Sequence, residues 1–249
     1  MFAPADRSRF RDVLVDDARE DADVTGAALV GSAARGTEDA WSDIDLALKL
    51  RPAADESAVV ERWTERIDAE QGVSDTLDVW SGGVRYRVFL IRSSLQIDVS
   101  FWPHDQFRAT EDGFQLLFGT ANAPTSAADL DLDQTIGMGW LYALHVRSAL
   151  AREKLWQAVI MLDELRNQII ALACARRGLN PWHGREVDRL PSGELAAFAR
   201  ARTHEVSVAA IHNSQRQLID LFLAEVELAD PSRAARLREP LTTLIQDER

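Results

Sequence analysis

Residues 25–50 of the chain read TGAALVGSAARGTEDAWSDIDLALKL, and each end of this run has the pattern of a β-strand. The residues at the first end are small and mostly apolar, and they are followed by Gly31-Ser32. This pattern predicts a short strand over Thr25–Val30. In the second end, Asp43–Leu50, isoleucine and leucine alternate with Asp, Ala and Lys. Because successive side chains of a strand point to opposite faces, this second strand should be half-buried. The polar, turn-rich residues 33–42 connect the two.

Three aspartates are the strongest candidates for a chemical role. Asp43 and Asp45 stand at positions i and i+2 of the second strand, so both carboxylates project from one face. Asp98 lies on the polar face of a later predicted strand, Leu95–Trp102. Carboxylate oxygens are the ligands that a hard divalent cation prefers. The three side chains therefore predict a site for a hard divalent cation. Two Mg²⁺ ions held in this way can bind nucleotide phosphates and lower the pKa of an attacking hydroxyl.

The residues after the first strand suit a phosphate group. Gly31 lets a backbone approach a phosphate closely, and Ser32 adds a hydroxyl donor. If a short helix starts there, its N-terminus provides an anion site. Arg35 is near enough in sequence to reach the same phosphates.

The same residues also have an ordinary interpretation. An Asp-x-Asp pair is common and is usually solvated, and a Gly-Ser pair after a strand is commonly only a turn. Their combination is rarer, because both aspartates lie on the non-core face of an alternating strand and Asp98 lies on the polar face of another. The combination favours a functional site over a solvated surface.

The rest of the first half alternates helical and strand patterns. Helices are predicted from about Asp6 to Glu20 and from about Glu56 to Gln71, the second one ended by Gly72. Further strands are predicted at Thr76–Trp80, Arg85–Arg92 and Leu95–Trp102, and only Ser93-Ser94 separates the last two, as in a tight hairpin.

A change of composition suggests a domain boundary. Residues 120–133 are rich in Ala, Asn, Pro, Thr, Ser and Asp, and the sequence beyond them is helical in pattern. Helices are predicted over about Leu132–Ala151 and Glu153–Arg177, with two or three more after Ser192. We expect an α+β fold: a domain of strands and helices over residues 1–120, then an all-α helical bundle over residues 121–249.

Composition narrows the class of protein. The 249 residues are 46% hydrophobic, which is enough for a sizeable core, and the net charge is −12. Residues 1–120 contribute 23 acidic and 13 basic side chains, and this balance argues against a nucleic-acid backbone as partner. Neither a signal peptide nor an apolar run of 18 residues is visible, so we expect a soluble, cytoplasmic protein with no membrane partner. The single cysteine, Cys174, lies in an apolar run and should be a buried small hydrophobe.

The motif resembles a known family. Val30-Gly31-Ser32, then Ser42-Asp43-Ile44-Asp45-Leu46, then Ile97-Asp98-Val99 look like the nucleotidyltransferase superfamily related to DNA polymerase beta, over roughly residues 10–105. The helical half is similar in plan to antibiotic nucleotidyltransferases that act on lincosamides and aminoglycosides. The resemblance implies a catalytic domain over residues 1–120, with a small mixed sheet flanked by helices, and a helical acceptor-binding domain over residues 121–249. It also implies two Mg²⁺ ions, ATP or another nucleoside triphosphate as donor, and release of pyrophosphate. It makes Asp43 and Asp45 metal ligands and Asp98 a ligand or the general base, with triphosphate contacts at Gly31, Ser32 and Ser42.

Small-molecule transferases of this type commonly complete the cleft with helical side chains. Arg147 and Lys154, seven residues apart, would share a helix face if their helix continues unbroken, and either would neutralise the triphosphate. For each of them, the commoner explanation is a solvated or salt-bridged residue. Further acceptor or phosphate candidates at helical spacing, under the same alternative, are Trp156, Asp163, Glu164, Arg166 and Asn167.

The general base for the acceptor stays open at this stage. Asp163 and Glu164 are both candidates, and Asp98 is an alternative to them. Asp163 and Arg166 also have the spacing of a simple i,i+3 ion pair.

Three functions are compatible with these residues. The leading hypothesis is transfer of a nucleoside monophosphate, AMP from ATP, to a hydroxyl of a small molecule such as an aminoglycoside or lincosamide. The second keeps the chemistry but modifies a tRNA or a partner protein, as toxin and antitoxin systems do. The third is a nucleotide-binding module without catalysis. A homodimer is a reasonable expectation for a chain of this size.

Overall fold

The computed structural model describes residues 4–110, 113–125 and 130–245. The chain divides into two compact units, residues 1–128 and 129–249. The division lies eight residues beyond the predicted one at 120/121, because Asn122 and Thr125 still belong to the first unit. Their backbone N–H groups donate to the carbonyl oxygens of Phe107 (2.8 Å) and Ala109 (3.0 Å).

The first unit contains a six-stranded mixed sheet, as predicted for the fold class. Its strands are β1 (Val24–Val30), β2 (Ile44–Leu50), β3 (Val73–Ser81), β4 (Val84–Ile91), β5 (Gln96–Trp102) and β6 (Phe114–Phe118). They lie in the order β3-β4-β5-β2-β1-β6, and β2 pairs with β5 in parallel while the other neighbours are antiparallel. The two strands that flank the loop 31–43 thus lie side by side within the sheet.

Helices α1 (Pro4–Glu20), α2 (Gly31–Arg35) and α3 (Glu56–Gln71) complete this unit. The bounds of α3 agree with the prediction, because both signals are local. The carboxylate of Asp55 accepts a hydrogen bond from the Ala58 N–H (3.2 Å), and Gly72 ends the helix with φ of 71°.

One face of the sheet packs against α1 and α3. The isoleucine and leucine side chains of β2 lie in this core with Phe10 and Leu14 of α1 and Trp63 of α3, all nearly inaccessible to solvent. The alternation read from the sequence therefore identified the core face of β2 correctly. The opposite face carries the aspartates, and only part of it is covered, by a smaller cluster that includes Trp102 and Phe107.

Two features of the sheet were not predicted. Strand β6 pairs with β1 at one edge, and its short apolar run without alternation gave no clear signal. Strand β3 is longer than the predicted Thr76–Trp80 and forms the other edge.

The second unit is helical. Its helices are α4 (Leu132–Leu150), α5 (Leu155–Ala175), α6 (Ser192–Arg200), α7 (Val208–Ala229) and α8 (Pro231–Thr243). They enclose a core of their own, in which Phe222 of α7 and Leu165 of α5 are fully buried. Cys174 is buried on α5, as expected for a small hydrophobe. Within the described part of the chain, no helix combines the length and apolar composition of a membrane span.

Arg147 and Lys154 do not lie on one continuous helix. Helix α4 ends at Leu150, a turn follows in which Glu153 has φ of 56°, and Lys154 is the N-cap residue of α5. The condition for a shared helix face is therefore not met, and the two separate helices agree with the predicted ranges Leu132–Ala151 and Glu153–Arg177.

Candidate active site

Strand pairing brings the three aspartates together. Asp43 immediately precedes β2, Asp45 lies on it, and the parallel register places Asp45 directly beside Asp98 of β5. One carboxylate oxygen from each residue lies within 4.8 Å of the others, and all three residues are half-buried. The structure thus assembles the three carboxylates that the sequence singled out.

The environment of Asp98 shifts the pKa of its carboxyl group. The amide nitrogen of Gln96 donates to both carboxylate oxygens of Asp98, at 3.0 and 3.2 Å. Burial raises the pKa of Asp98 to about 6; the hydrogen bonds from Gln96 oppose this rise, and the negative charge of Asp43 adds to it. Gln96 was not predicted as a site residue, although its position two residues before Asp98 places it on the same strand face.

This donor set fits a hard divalent cation. The three side chains offer only carboxylate oxygens, the chemistry that Mg²⁺ selects, and no softer nitrogen or sulfur ligand. Carboxylates this close repel one another in a half-buried place, and a bound cation would stabilise all three in the ionised form.

Gly31 lies close against the carboxylate of Asp45 in this cluster. It starts α2 with φ of 63°, and a Cβ atom there would lie 3.1 Å from Asp45 Cγ and overlap Asp45 Oδ2. The position therefore excludes a side chain for two reasons, backbone conformation and contact with the carboxylate. A glycine was expected here for approach to a phosphate; the structure adds contact with Asp45.

Ser32 and Arg35 lie on α2 beside Gly31. The Ser32 hydroxyl is buried and has no hydrogen-bond partner among the described residues. An unsatisfied buried hydroxyl is unfavourable, and a phosphate oxygen is the type of partner that would satisfy it. Arg35 is exposed at the end of α2, and its guanidinium lies against Gly113.

The loop before Asp43 is held by its own side chains. The Ser42 hydroxyl accepts a hydrogen bond from the Asp39 N–H (2.9 Å) and donates to Asp39 Oδ1 (3.1 Å). The predicted triphosphate contact of Ser42 stays a prediction, and in the structure its side chain stabilises the loop.

Arg7 of α1 was missed by sequence reasoning. Its side chain is buried, its Nη1 donates to the Ser42 carbonyl oxygen (3.2 Å), and its Nε lies 3.6 Å from Glu38 Oε1. Arg11, one helical turn later, also pairs with Glu38. No local pattern relates Arg7 to Ser42, because 35 residues separate them.

The helical candidates all lie in the second unit. Arg147 and Lys154 are exposed, and so is Trp156, at 70% of its full accessibility. Asp163 and Arg166 form an i,i+3 ion pair on α5, the alternative that their spacing had left open. Glu164 is half-buried. Roles for these residues in binding acceptor or phosphate stay predictions.

Most of the first unit matches the model of a known protein family. Residues 9–100 match the family model described as "Nucleotidyltransferase domain". No curated protein matches the sequence significantly.

Two solved structures are among those similar to the chain. The first is an aminoglycoside 6-adenyltransferase from Bacillus subtilis, at 12% identity and a TM-score of 0.40, with 94% of this chain and 96% of that one covered. The second is the polymerase core of TRAMP, an RNA surveillance complex, at 15% identity and a TM-score of 0.31, with 88% of this chain and 55% of that one covered.

The matched residues include the whole motif, from Gly31-Ser32 through Asp43 and Asp45 to Asp98. The carboxylate cluster and the close-packed glycine are therefore parts of one recognised domain. We conclude that the first unit carries a nucleotidyltransferase domain.

Proposed function

We propose that this enzyme transfers AMP from ATP to a hydroxyl group of a small molecule, such as an aminoglycoside or a lincosamide, and releases pyrophosphate. The observation that carries the proposal is the cluster of Asp43, Asp45 and Asp98 beside Gly31-Ser32. Nucleotidyl transfer requires positioning and charge neutralisation more than covalent chemistry. The cluster and the adjoining phosphate candidates provide these two requirements in one place.

Each residue has an assigned role. Asp43 and Asp45 hold the metal, and Asp98 is a third ligand or accepts the proton of the acceptor hydroxyl. Bound Mg²⁺ would neutralise the triphosphate and the charge that develops on it. The backbone of Gly31 and the hydroxyl of Ser32 hold the phosphates, and Arg35 adds a positive charge on the same side.

Charge guides the choice of acceptor. The chain has a net charge of −12, and 23 of its 40 acidic residues lie within residues 1–120. Such a field repels the phosphate backbone of a nucleic acid. A small acceptor is therefore favoured over tRNA.

The proposal is tested with Mg²⁺, ATP labelled at the α-phosphate, and a panel of aminoglycosides and lincosamides. We expect label on an acceptor together with pyrophosphate release. The Asp43→Ala/Asp45→Ala variant should lose both, along with Mn²⁺ binding measured by electron paramagnetic resonance. Glu61→Ala/Glu65→Ala, on the exposed face of α3, is the matched control for net charge and should keep all three. Absence of transfer and of pyrophosphate release with every acceptor would contradict the proposal.

A further inference from the structure

The face of the sheet that carries the aspartates continues beyond Asp98 onto β4 and β3. Residues that lie directly opposite each other on antiparallel strands share a face. Asp98 lies opposite Val88 of β4, and Val88 lies opposite Leu77 of β3. Asp98, Val88 and Leu77 therefore form one row across three strands.

The surface on both sides of this row is apolar. Gln96 lies opposite Leu90, and Ser100 lies opposite Tyr86, which in turn lies opposite Val79. We call Leu77, Val79, Tyr86, Val88 and Leu90 the β3–β4 strip. Leu77 is 62% exposed, Leu90 49% and Val79 46%. Tyr86 is partly buried, because its ring packs edge-to-face against Trp102 of the neighbouring cluster.

Charged side chains of the same strands lie on the other face. Asp78 lies opposite Arg87, and the two are joined by hydrogen bonds of 2.7 Å, while Arg85 pairs with Glu56 of α3. Asp75, opposite Leu90, is the charged residue of β3 on the strip's own face. The strip thus offers apolar contact and little opportunity to form ion pairs.

The next step rests on the proposed function, in which ATP is the donor and a hydroxyl compound is the acceptor. Strand order indicates which of these two substrates lies over the strip. Gly31 and Ser32 follow β1, which lies on one side of β2, and Asp98 on β5 lies on the other. In an in-line displacement the attacking hydroxyl approaches the α-phosphorus opposite to the leaving pyrophosphate. With the phosphates on the β1 side, in-line geometry favours an acceptor that approaches from the side of β5, β4 and β3.

We propose that the β3–β4 strip is the acceptor subsite, and that the acceptor is a hydroxyl compound with an apolar face. Adjacent strands are about 4.8 Å apart, so Leu77 lies about 10 Å from the row position of Asp98. A small molecule of that length contacts Val88 and Leu77 while its hydroxyl reaches the carboxylates. Removal of exposed apolar side chains from water favours such an acceptor over one that is polar on all sides.

The transfer step balances without a further reactant. The acceptor oxygen bonds to the α-phosphorus, the bond from that phosphorus to the bridging oxygen of pyrophosphate breaks, and the hydroxyl proton leaves to a base. The strip takes no part in these bond changes, so Leu77 is a specificity residue.

The test compares two acceptors with the full-length enzyme, Mg²⁺ and ATP. Lincomycin has an apolar propyl-proline part, and kanamycin is a polar polycation. We expect pyrophosphate release with lincomycin at lower concentration than with kanamycin. Leu77→Ser should raise the KM for lincomycin about tenfold and leave the KM for ATP unchanged, and Leu77→Met should restore it. Trp80→Ser, an exposed side chain on the other face of β3, is the matched control and should leave both KM values unchanged.

Each other outcome counts against the inference. If only kanamycin is modified, or Leu77→Ser leaves the acceptor KM unchanged, the inference is wrong while the proposed function stands. If neither antibiotic nor any other hydroxyl compound of the panel releases pyrophosphate, the proposed function fails and the inference fails with it. If sedimentation shows a dimer that Leu77→Ser dissociates, the edge strand β3 binds a second copy of the chain and the strip is not an acceptor subsite.

Discussion

At the scale of single residues, Gly31 determines how closely the backbone approaches the carboxylates. Its φ of 63° and its contact with Asp45 are separate constraints. Gly36 has only the first, because its φ is 66° and a Cβ atom added there would meet nothing within 4 Å. Gly31, which begins α2, and Gly36, its C-cap, therefore form a natural comparison.

Gly31→Ala should weaken metal binding, because the new methyl group would displace the Asp45 carboxylate. We expect at least a tenfold loss of Mn²⁺ affinity, about 1.4 kcal/mol, and a similar loss of nucleotidyl transfer. Gly36→Ala carries the same cost of about 1–2 kcal/mol for a left-handed residue and should keep its Mn²⁺ affinity. Equal Mn²⁺ affinities for the two variants, measured by paramagnetic resonance, would contradict the contact.

At the scale of elements, Asp21 connects the start of β1 to α3. Its carboxylate accepts hydrogen bonds from Arg62 Nη2 (2.8 Å) and from the indole Nε1 of Trp63 (3.0 Å). Burial by itself would raise the pKa of Asp21, but the bonds from Arg62, the Asp23 N–H and Trp63 lower it, and the pKa lies below its usual value. The ionised form is therefore the one that stabilises the docked helix.

Asp21→Asn should destabilise the protein by about 2 kcal/mol at pH 7, as expected for charged hydrogen bonds. The folded-state pKa lies below the unfolded value of 3.8, so the contribution is fully present above that pH and is lost as the pH falls further. The difference between wild type and variant should shrink below about pH 4 in urea titrations. Asp12→Asn, on the exposed face of α1, is the control, and a difference independent of pH would exclude the ionised carboxylate as its source.

Two glycines of α4, Gly137 and Gly139, differ in how closely they approach α7. A Cβ atom at Gly139 would lie 2.7 Å from Cζ of the fully buried Phe222 ring, whereas one at Gly137 meets nothing within 4 Å. Glycine at 139 is required by the close approach of α7, and glycine at 137 is not.

Gly137→Ala should stabilise the second unit by up to about 1 kcal/mol through helix propensity. Gly139→Ala gains the same propensity but must displace the Phe222 ring, at a cost of about 1–3 kcal/mol, so the net effect should be destabilising or nearly zero. Thermal unfolding followed by circular dichroism measures both. A Gly139→Ala variant as stable as Gly137→Ala would show that the ring can move freely.

At the scale of the whole molecule, the chain consists of two units with their own cores. The three carboxylates all belong to the first unit, whereas the helical core around Phe222 belongs to the second. A ligand that binds only the folded state stabilises the unit that it binds.

Mg²⁺ without nucleotide should therefore raise the unfolding temperature of the first unit. At a concentration of about 100 times Kd the stabilisation is about 2.7 kcal/mol. Calorimetry should show the shift in wild type, and Asp45→Asn should abolish it. A shift that persists in Asp45→Asn would place the metal elsewhere.

The sequence by itself determined what depends on neighbouring residues. Period-two alternation placed Asp43 and Asp45 on one face of β2, and local capping signals at Asp55 and Gly72 set the bounds of α3. These features follow from backbone geometry over a few residues, so they can be read without knowledge of the fold.

Tertiary structure alone decided which distant residues meet. The parallel register that sets Asp45 beside Asp98, the bond from Arg7 to Ser42, and the row from Asp98 to Leu77 all depend on strand order and helix docking. Such contacts arise from hydrogen bonding and packing between segments far apart in the chain, and local periodicity carries no record of which segments will pair.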